Sequence, residues 1–400
     1  MKRTLGPWLD SWLEYTAPMA SPPLFKKWAG ISLLAGALER KVFTYVAGYK
    51  SNLYPNLYTF FLAPPGIGKT VMTSMVHDFF EQLDDHKLAP SAVSRGSLMD
   101  ALHEAQRNVV SKDTGRAVSF NALMVVINEL QVFIPEYNPD FMSTITDIYD
   151  CKPYGEKKRG KDLSYKMLAP QLNILAATTP ANLQALLPEN AYEHGFMTRV
   201  IMVYGDKART IDLFDEPPDD LVMKQKLMLD LKIIAAAQGQ MEFTEEARSI
   251  LNTWHKAGGQ PRPDHPRLVN YNQRRTAHVI KLSMIASMSR DDSLDILADD
   301  VRQALDWLIE CEADMDNIFS AMKAGSERQI MLDCAHTMYR TYLKHNKQAI
   351  REAVVIEYLQ MRGIPSHAVE RLLKLMIAAE MFTKAFDGLH PAKLRSPSED

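Results

Sequence analysis

Residues 57–70 read Leu57-Tyr-Thr-Phe-Phe-Leu62-Ala-Pro-Pro-Gly-Ile-Gly-Lys69-Thr70, an apolar run that stops at a Pro/Gly loop and a Lys-Thr pair. The run Leu57–Leu62 is aromatic-rich and too short for a helix, so it predicts a buried strand. Helical periodicity takes over at Lys69–Leu83. The intervening loop follows the phosphate-binding pattern GxxxxGK[ST], with Ala63 in place of the first glycine. The other positions keep what that chemistry needs. Gly66 and Gly68 let the backbone curl until its N–H groups face phosphate oxygens, at the positive end of the following helix. Lys69 can reach the β- and γ-phosphates of ATP, and the Thr70 hydroxyl can ligate Mg²⁺. The expected nucleotide cradle is therefore Pro65, Gly66, Ile67, Gly68, Lys69, Thr70 and Val71.

Downstream, Ala122–Ile127 and Leu172–Ala177 are further apolar runs, closed by Asn128–Glu129 and by Thr178-Thr179-Pro180. A fourth, Val200–Tyr204, follows Arg199. Helical patterns at Ser97–Arg107, Asp140–Tyr149 and Ala181–Leu187 separate them. Strands alternating with helices predict an α/β fold with a mostly parallel sheet covered on both faces, and the loop makes a P-loop NTPase the expectation. Such a loop needs an acid at the end of a neighbouring strand, and Glu129 takes that place as general base and metal neighbour. Many ATPases of this kind carry Asp-Glu there. Asn128 replaces the aspartate, so metal binding leans on Thr70, Glu129 and water. A hydroxyl at Thr178 or Thr179 can orient water or sense the γ-phosphate, and it can equally cap the helix before Pro180.

Before the first strand, residues 1–50 look helical: Trp8, Trp12 and Leu13 recur at helical spacing, and Pro22–Pro23 opens Leu24–Arg40. The apolar run Trp28–Leu38 is roughly half of the ~20 residues a membrane span needs, so a buried helix is expected and no membrane contact. The sequence divides into an N-terminal helical segment (1–50), an ATPase core (51–215), a helical lid (216–323) and a helix–turn–helix with a hairpin tail (325–395), the outline of a winged helix. At 400 residues, two or three domains are expected. A hydrophobic share of 46% with 24% charged residues excludes a disordered chain. A net charge of −3 argues against a DNA-coating protein, so any nucleic-acid contact must be local. Three scattered cysteines form no CxxC pair, which excludes a zinc or disulfide framework and fits the cytoplasm. Cys151–Leu168 holds six basic residues against two acidic ones, with Gly155 and Gly160 permitting a tight hairpin.

From about Pro22 to Asp206 the chain resembles the ATPase domain of a phage and mobile-element family related to primase–helicases. The resemblance rests on Phe25–Leu38, Leu53–Leu57, the loop, Ser94–Leu98, Gln171–Pro180 and Gly195–Tyr204. The order of loop, Glu129, Ala176–Pro180 and Thr198-Arg199 also resembles AAA+ helicases of the minichromosome maintenance type. That resemblance implies an AAA+/RecA-like fold and an ATP- and Mg²⁺-dependent hydrolase that forms a hexameric ring and moves along single-stranded or forked DNA during replication. It implies sensor 1 at Thr179, an arginine finger acting on a neighbouring subunit at Arg199, and the sensor-2 arginine of the lid at Arg275. It also implies a pore hairpin that grips DNA phosphates through Lys157, Lys158, Arg159 and Lys161. Other replication proteins are possible partners. The family's primase domain has no counterpart in this sequence. Two alternatives stay open: an ATP-driven helicase loader or remodeller, and a nucleotide-gated DNA-binding initiator.

Overall fold

A strand covered on both faces must be apolar nearly throughout, and Tyr58–Leu62 (β1) is buried at every position. The computed structural model describes residues 2–90, 95–110, 115–134, 137–157, 164–192, 195–208, 220–362, 364 and 366–392. The chain divides into two compact units, Met1–Ile318 and Phe319–Asp400.

In the first unit two helices precede β1. The first, α1 (Trp8–Thr16), stacks Trp8 on Trp12 with ring centroids 5.4 Å apart. Pro23 opens α2 (Pro23–Leu38), where a missing N–H costs nothing. Helix α2 is buried almost all round, as a helix apolar on every face must be. The two helices meet closely. A Cβ on Gly30 would come within 2.6 Å of Leu9, and the Trp12 indole donates to the carbonyl of Lys26 at 2.8 Å. Phe25 then stacks on Phe61 at 4.6 Å, laying α2 over β1.

After β1 come α3 (Lys69–Glu81), β2 (Gln106–Val110), β3 (Ala117–Ile127), β4 (Pro170–Thr178) and β5 (Val200–Tyr204). These five strands form one sheet in the order β2-β3-β4-β1-β5. Strands β3, β4, β1 and β5 run parallel, and β2 pairs antiparallel with β3 at the edge. Leu62 lies opposite Thr178 and Tyr204, and Ile127 opposite Ala176, so four strands end at one edge. In parallel sheets that edge is where ligands bind. The acid expected on a neighbouring strand is one place further out, because β4 lies between β1 and β3.

Two stretches depart from the expected pattern. Residues 1–50 are not helical throughout: Val42–Val46 pairs antiparallel with Ser51–Leu53 and parallel with Gly239–Gln240. The β-branched and aromatic content of Val42-Phe-Thr-Tyr-Val46 is the physical reason. The helix expected to reach Arg107 stops at Glu104, and Gln106 begins β2. The boundary near residue 215 lies outside the described residues. From Leu221 to Ile318 the unit is mainly helical, with very short strands at Gly239–Gln240, Glu242–Phe243 and Asp295–Ile296.

The second unit holds the end of the helix Met315–Lys344, the helices Glu352–Met361 and Ser366–Ala378, and the hairpin Phe382–Ala385 with Gly388–Pro391. Its core gathers Met338, Val355, Leu359, Leu372, Met376 and Phe382. Among the described residues, no helix is long and apolar enough to cross a membrane.

Two imidazoles inside the first unit make folding sensitive to acid. Burial, with Lys41 beside one ring and Lys281 beside the other, holds His86 and His278 down to about 3 each. The unfolded chain takes up these protons near pH 6.5. The stability that rests on neutral rings is therefore complete above pH 6.5 and lost as pH falls toward 3. With both rings involved, the loss should approach about 2.7 kcal/mol per pH unit within that window. Urea unfolding midpoints at pH 7, 6 and 5 should fall steadily. A constant midpoint would show that the rings protonate without penalty.

Candidate functional site

The loop from Ala63 to Gly68 owes its path to two glycines. Gly66 has φ +80° and Gly68 φ +74°, the left-handed region that side chains disfavour. A Cβ on Gly68 would also sit 2.0 Å from the carbonyl oxygen of Ala20 in the α1–α2 connection, whereas Gly66 faces open space. Ala63, which stands where the sequence pattern has its first glycine, does not need a glycine's backbone freedom. It is absent from the positive-φ positions, and its N–H bonds to Thr178 at 3.3 Å, continuing the β1–β4 ladder.

Helix α3 begins at Lys69 with Gly68 as its N-cap, no capping side chain and no acid in its first turn. Its first N–H groups thus have no acceptor from an N-cap side chain, and the helix end keeps its partial positive charge. The Lys69 side chain folds back on the loop, donating to the carbonyls of Ala63 at 2.8 Å and Pro64 at 2.9 Å. Burial draws its ammonium below the ordinary lysine range, and Glu129 opposes that shift. Thr70 and Pro65 are exposed, Ile67 is half-buried, and Val71 is 40% exposed.

Beyond β3, Asn128 and Glu129 are both exposed. Asn128 Oδ1 accepts from Thr73 Oγ1 at 2.5 Å, which ties the end of β3 to α3. Glu129 stands at the N-cap of the turn Leu130–Phe133, yet its carboxylate does not cap it. The carboxylate instead lines a cleft of about 450 Å³ together with Ser74, His77, Asp78, Asn128 and Val132. Beyond β4, Thr179 caps the helix Pro180–Leu186 by accepting from the Asn182 N–H at 3.1 Å. A hydroxyl that accepts keeps its own proton to donate. Lys69, Thr70, Glu129 and Thr179 thus share one edge of the sheet.

No protein-family model matches the chain, and no curated protein matches its sequence. The roles of the residues therefore rest on their geometry.

Two arginines stand apart from that edge. Arg199 precedes β5 and so lies at the opposite edge, about 16 Å away along a five-residue strand. Only 6% exposed, it donates to Asp150 at 2.7 Å and to the Gly195 carbonyl at 2.7 Å. In this arrangement its guanidinium is held by Asp150 and Gly195 of its own chain. Arg275 is 2% exposed and forms a two-pronged pair with Glu312 at 2.7 and 2.6 Å. It also donates to the carbonyls of Gly259 and Pro261. With those donors engaged, Arg275 is a clamp inside the helical region and has no bond to the loop.

Of the basic segment, Lys157 ends the first strand of the hairpin Tyr154–Lys157 with Ser164–Met167. Lys158, Arg159 and Lys161 lie outside the described residues. Sequence reasoning missed Ala20, whose carbonyl abuts the loop, because nothing in Met19-Ala20-Ser21 marks such a contact. It also missed Thr73 as the partner of Asn128, although Thr73 follows Lys69 by one helical turn and so shares its face.

Proposed function

We propose that the chain binds and hydrolyses ATP through a P-loop and uses the cycle as a ring-forming helicase or translocase in mobile-element DNA replication. One observation carries the reading: a loop with two left-handed glycines, a lysine and a threonine joins a central strand to an uncapped helix, at the sheet edge where Glu129 and Thr179 also end. The residues present fit a nucleotide with Mg²⁺. Uncompensated N–H groups at the start of α3 suit phosphate oxygens, and the exposed Thr70 hydroxyl suits a cation that keeps most of its waters. Magnesium held at the Thr70 hydroxyl would neutralise charge on the phosphates. Lys69 releases the Ala63 and Pro64 carbonyls and turns to the γ-phosphate, Glu129 takes a proton from the attacking water, and Thr179 donates to the phosphate or that water.

The basic hairpin supplies a sequence-tolerant grip on single-stranded DNA. The helix pair and hairpin of the second unit support a winged helix-turn-helix. Arg371 there is paired with Glu327, and Lys374 with Glu370, which weakens its case as a DNA reader. A second reading, a nucleotide-gated DNA-binding protein with slow hydrolysis, draws on Asn128, since an amide bound to Thr73 contributes no charge to a metal.

ATP turnover with and without single-stranded DNA tests the proposal, alongside strand displacement. We expect DNA to stimulate turnover. Exchange of Lys157, Lys158 and Arg159 for alanine should lower the log–log salt slope of DNA binding by about 0.7 per lost contact and spare basal turnover. Binding of ATP without DNA-stimulated turnover would favour the gated reading, and no binding of Mg²⁺-ATP would end both.

A further inference from the structure

At the edge opposite the loop, a pocket of about 330 Å³ opens beside the base of the hairpin. The strand Ser51–Leu53 with Tyr54, the end of the helix Pro139–Tyr149 with Asp150–Lys152, and the start of the helix Arg275–Arg290 form its walls. Charge in this pocket is unbalanced. Lys152, Arg274 and Lys281 line it, while Arg199 and Arg40 reach the same Asp150–Cys151 turn from behind. Among the described side chains, Asp150 is the acid paired with them, at 2.7 Å from Arg199 and 3.3 Å from Arg274.

Lys281 is 3% exposed and donates to Asn56 at 2.8 and 3.0 Å, with its ammonium 3.8 Å from the centre of the Tyr149 ring. Burial brings it down to about 7, with Arg199 and Arg274 adding to the fall and Cys151 and Asp150 opposing it. An anion placed here meets cations whose mutual repulsion one carboxylate only partly offsets. Tyrosines complete the site. Tyr49 stands 44% exposed at the rim, and Tyr54 offers a ring already covered on one face by Arg40 at 4.0 Å. Phosphate contacts from Arg and Lys beside exposed aromatic rings are the combination that holds single-stranded nucleic acid.

We propose that this pocket binds one nucleotide unit, its phosphate against Arg274 and the exposed Lys152 and its base against Tyr49, the unit belonging to a single strand that passes the adjoining hairpin. The proposal rests on the DNA reading above but not on ATP hydrolysis, so the two fail separately.

The test is binding of a labelled oligothymidylate to the full chain, without ATP, across a series of salt concentrations. Arg274 is about one-third exposed on its side chain, so Arg274→Gln should fold normally. Its log–log salt slope should drop by about 0.7, the value of one phosphate contact on a single strand. Lys152→Met is a second variant, checked for folding by its urea midpoint. Thymidine monophosphate distinguishes the sources. If the ligand is a strand, the mononucleotide should compete only weakly; strong competition by it would overturn the strand and assign the pocket to a free nucleotide. Parental affinity and slope in both Arg274→Gln and Lys152→Met would overturn the site, even with the hairpin variant impaired. Loss of ATP turnover in the unaltered chain would sink the function proposed above and leave this measurement readable.

Discussion

Glu129→Gln should lower ATP turnover by about 10²–10⁴-fold, the usual worth of a positioned general base, while nucleotide affinity stays close to that of the parent chain. The carboxylate is exposed, caps nothing and lines the cleft beside α3, so its replacement by an isosteric amide should leave the fold intact. Lys69→Ala should behave differently. In the proposed role its ammonium would offset phosphate charge in both ground and transition states, so affinity and turnover should fall together. Equilibrium binding of a labelled ATP analogue, with single-turnover hydrolysis of ATP, separates the two patterns. Ordinary turnover in Glu129→Gln would assign the proton transfer to another group.

For Arg275 the expected loss is in stability. Its pair with Glu312 is almost wholly buried, at 2% and 4% side-chain exposure. Removing either partner leaves the other charge without compensation, which costs about 3–5 kcal/mol. Arg275→Ala and Glu312→Ala should therefore lower the urea midpoint to similar extents. Nucleotide affinity decides between a clamp and a sensor. Measured where both variants remain folded, it should match the parent in each. A loss confined to Arg275→Ala would mean that the guanidinium leaves Glu312 for the nucleotide.

What could be read from the sequence follows from burial. Strands β1, β3, β4 and β5 are covered on both faces for most of their length, so their composition alone marked them. Strand β2, Gln106-Arg-Asn-Val-Val110, lies at the edge with alternate residues exposed, and its first two residues, Gln106 and Arg107, also fit the end of the preceding helical pattern. The loop was legible because Gly66, Gly68, Lys69 and Thr70 are adjacent in the chain. The settings of the arginines were not. Asp150 lies 49 residues from Arg199, and Glu312 lies 37 residues from Arg275. Nothing in the local sequence shows which carboxylate an arginine will meet, and a saturated guanidinium looks the same in sequence as a free one.

The place of β4 between β1 and β3 acts as a gauge. Neighbouring strands are spaced by about 4.8 Å, so two intervals set the acid's strand about 10 Å to the side of the strand that leads into the loop. In the proposed complex that breadth would accommodate a terminal phosphate with a water molecule beyond it, whereas adjacent strands would crowd the carboxylate against the phosphate itself. Pairing fixes the depth as well: Leu62 meets Thr178 while Ile127 meets Ala176, so β3 must run two residues past its last paired position for Glu129 to draw level with the rim. A single-residue slip of β4 would turn Thr178 and Thr179 to opposite faces. The spacing between loop and carboxylate is thus held by backbone hydrogen bonds in the middle of the sheet, out of reach of most surface substitutions.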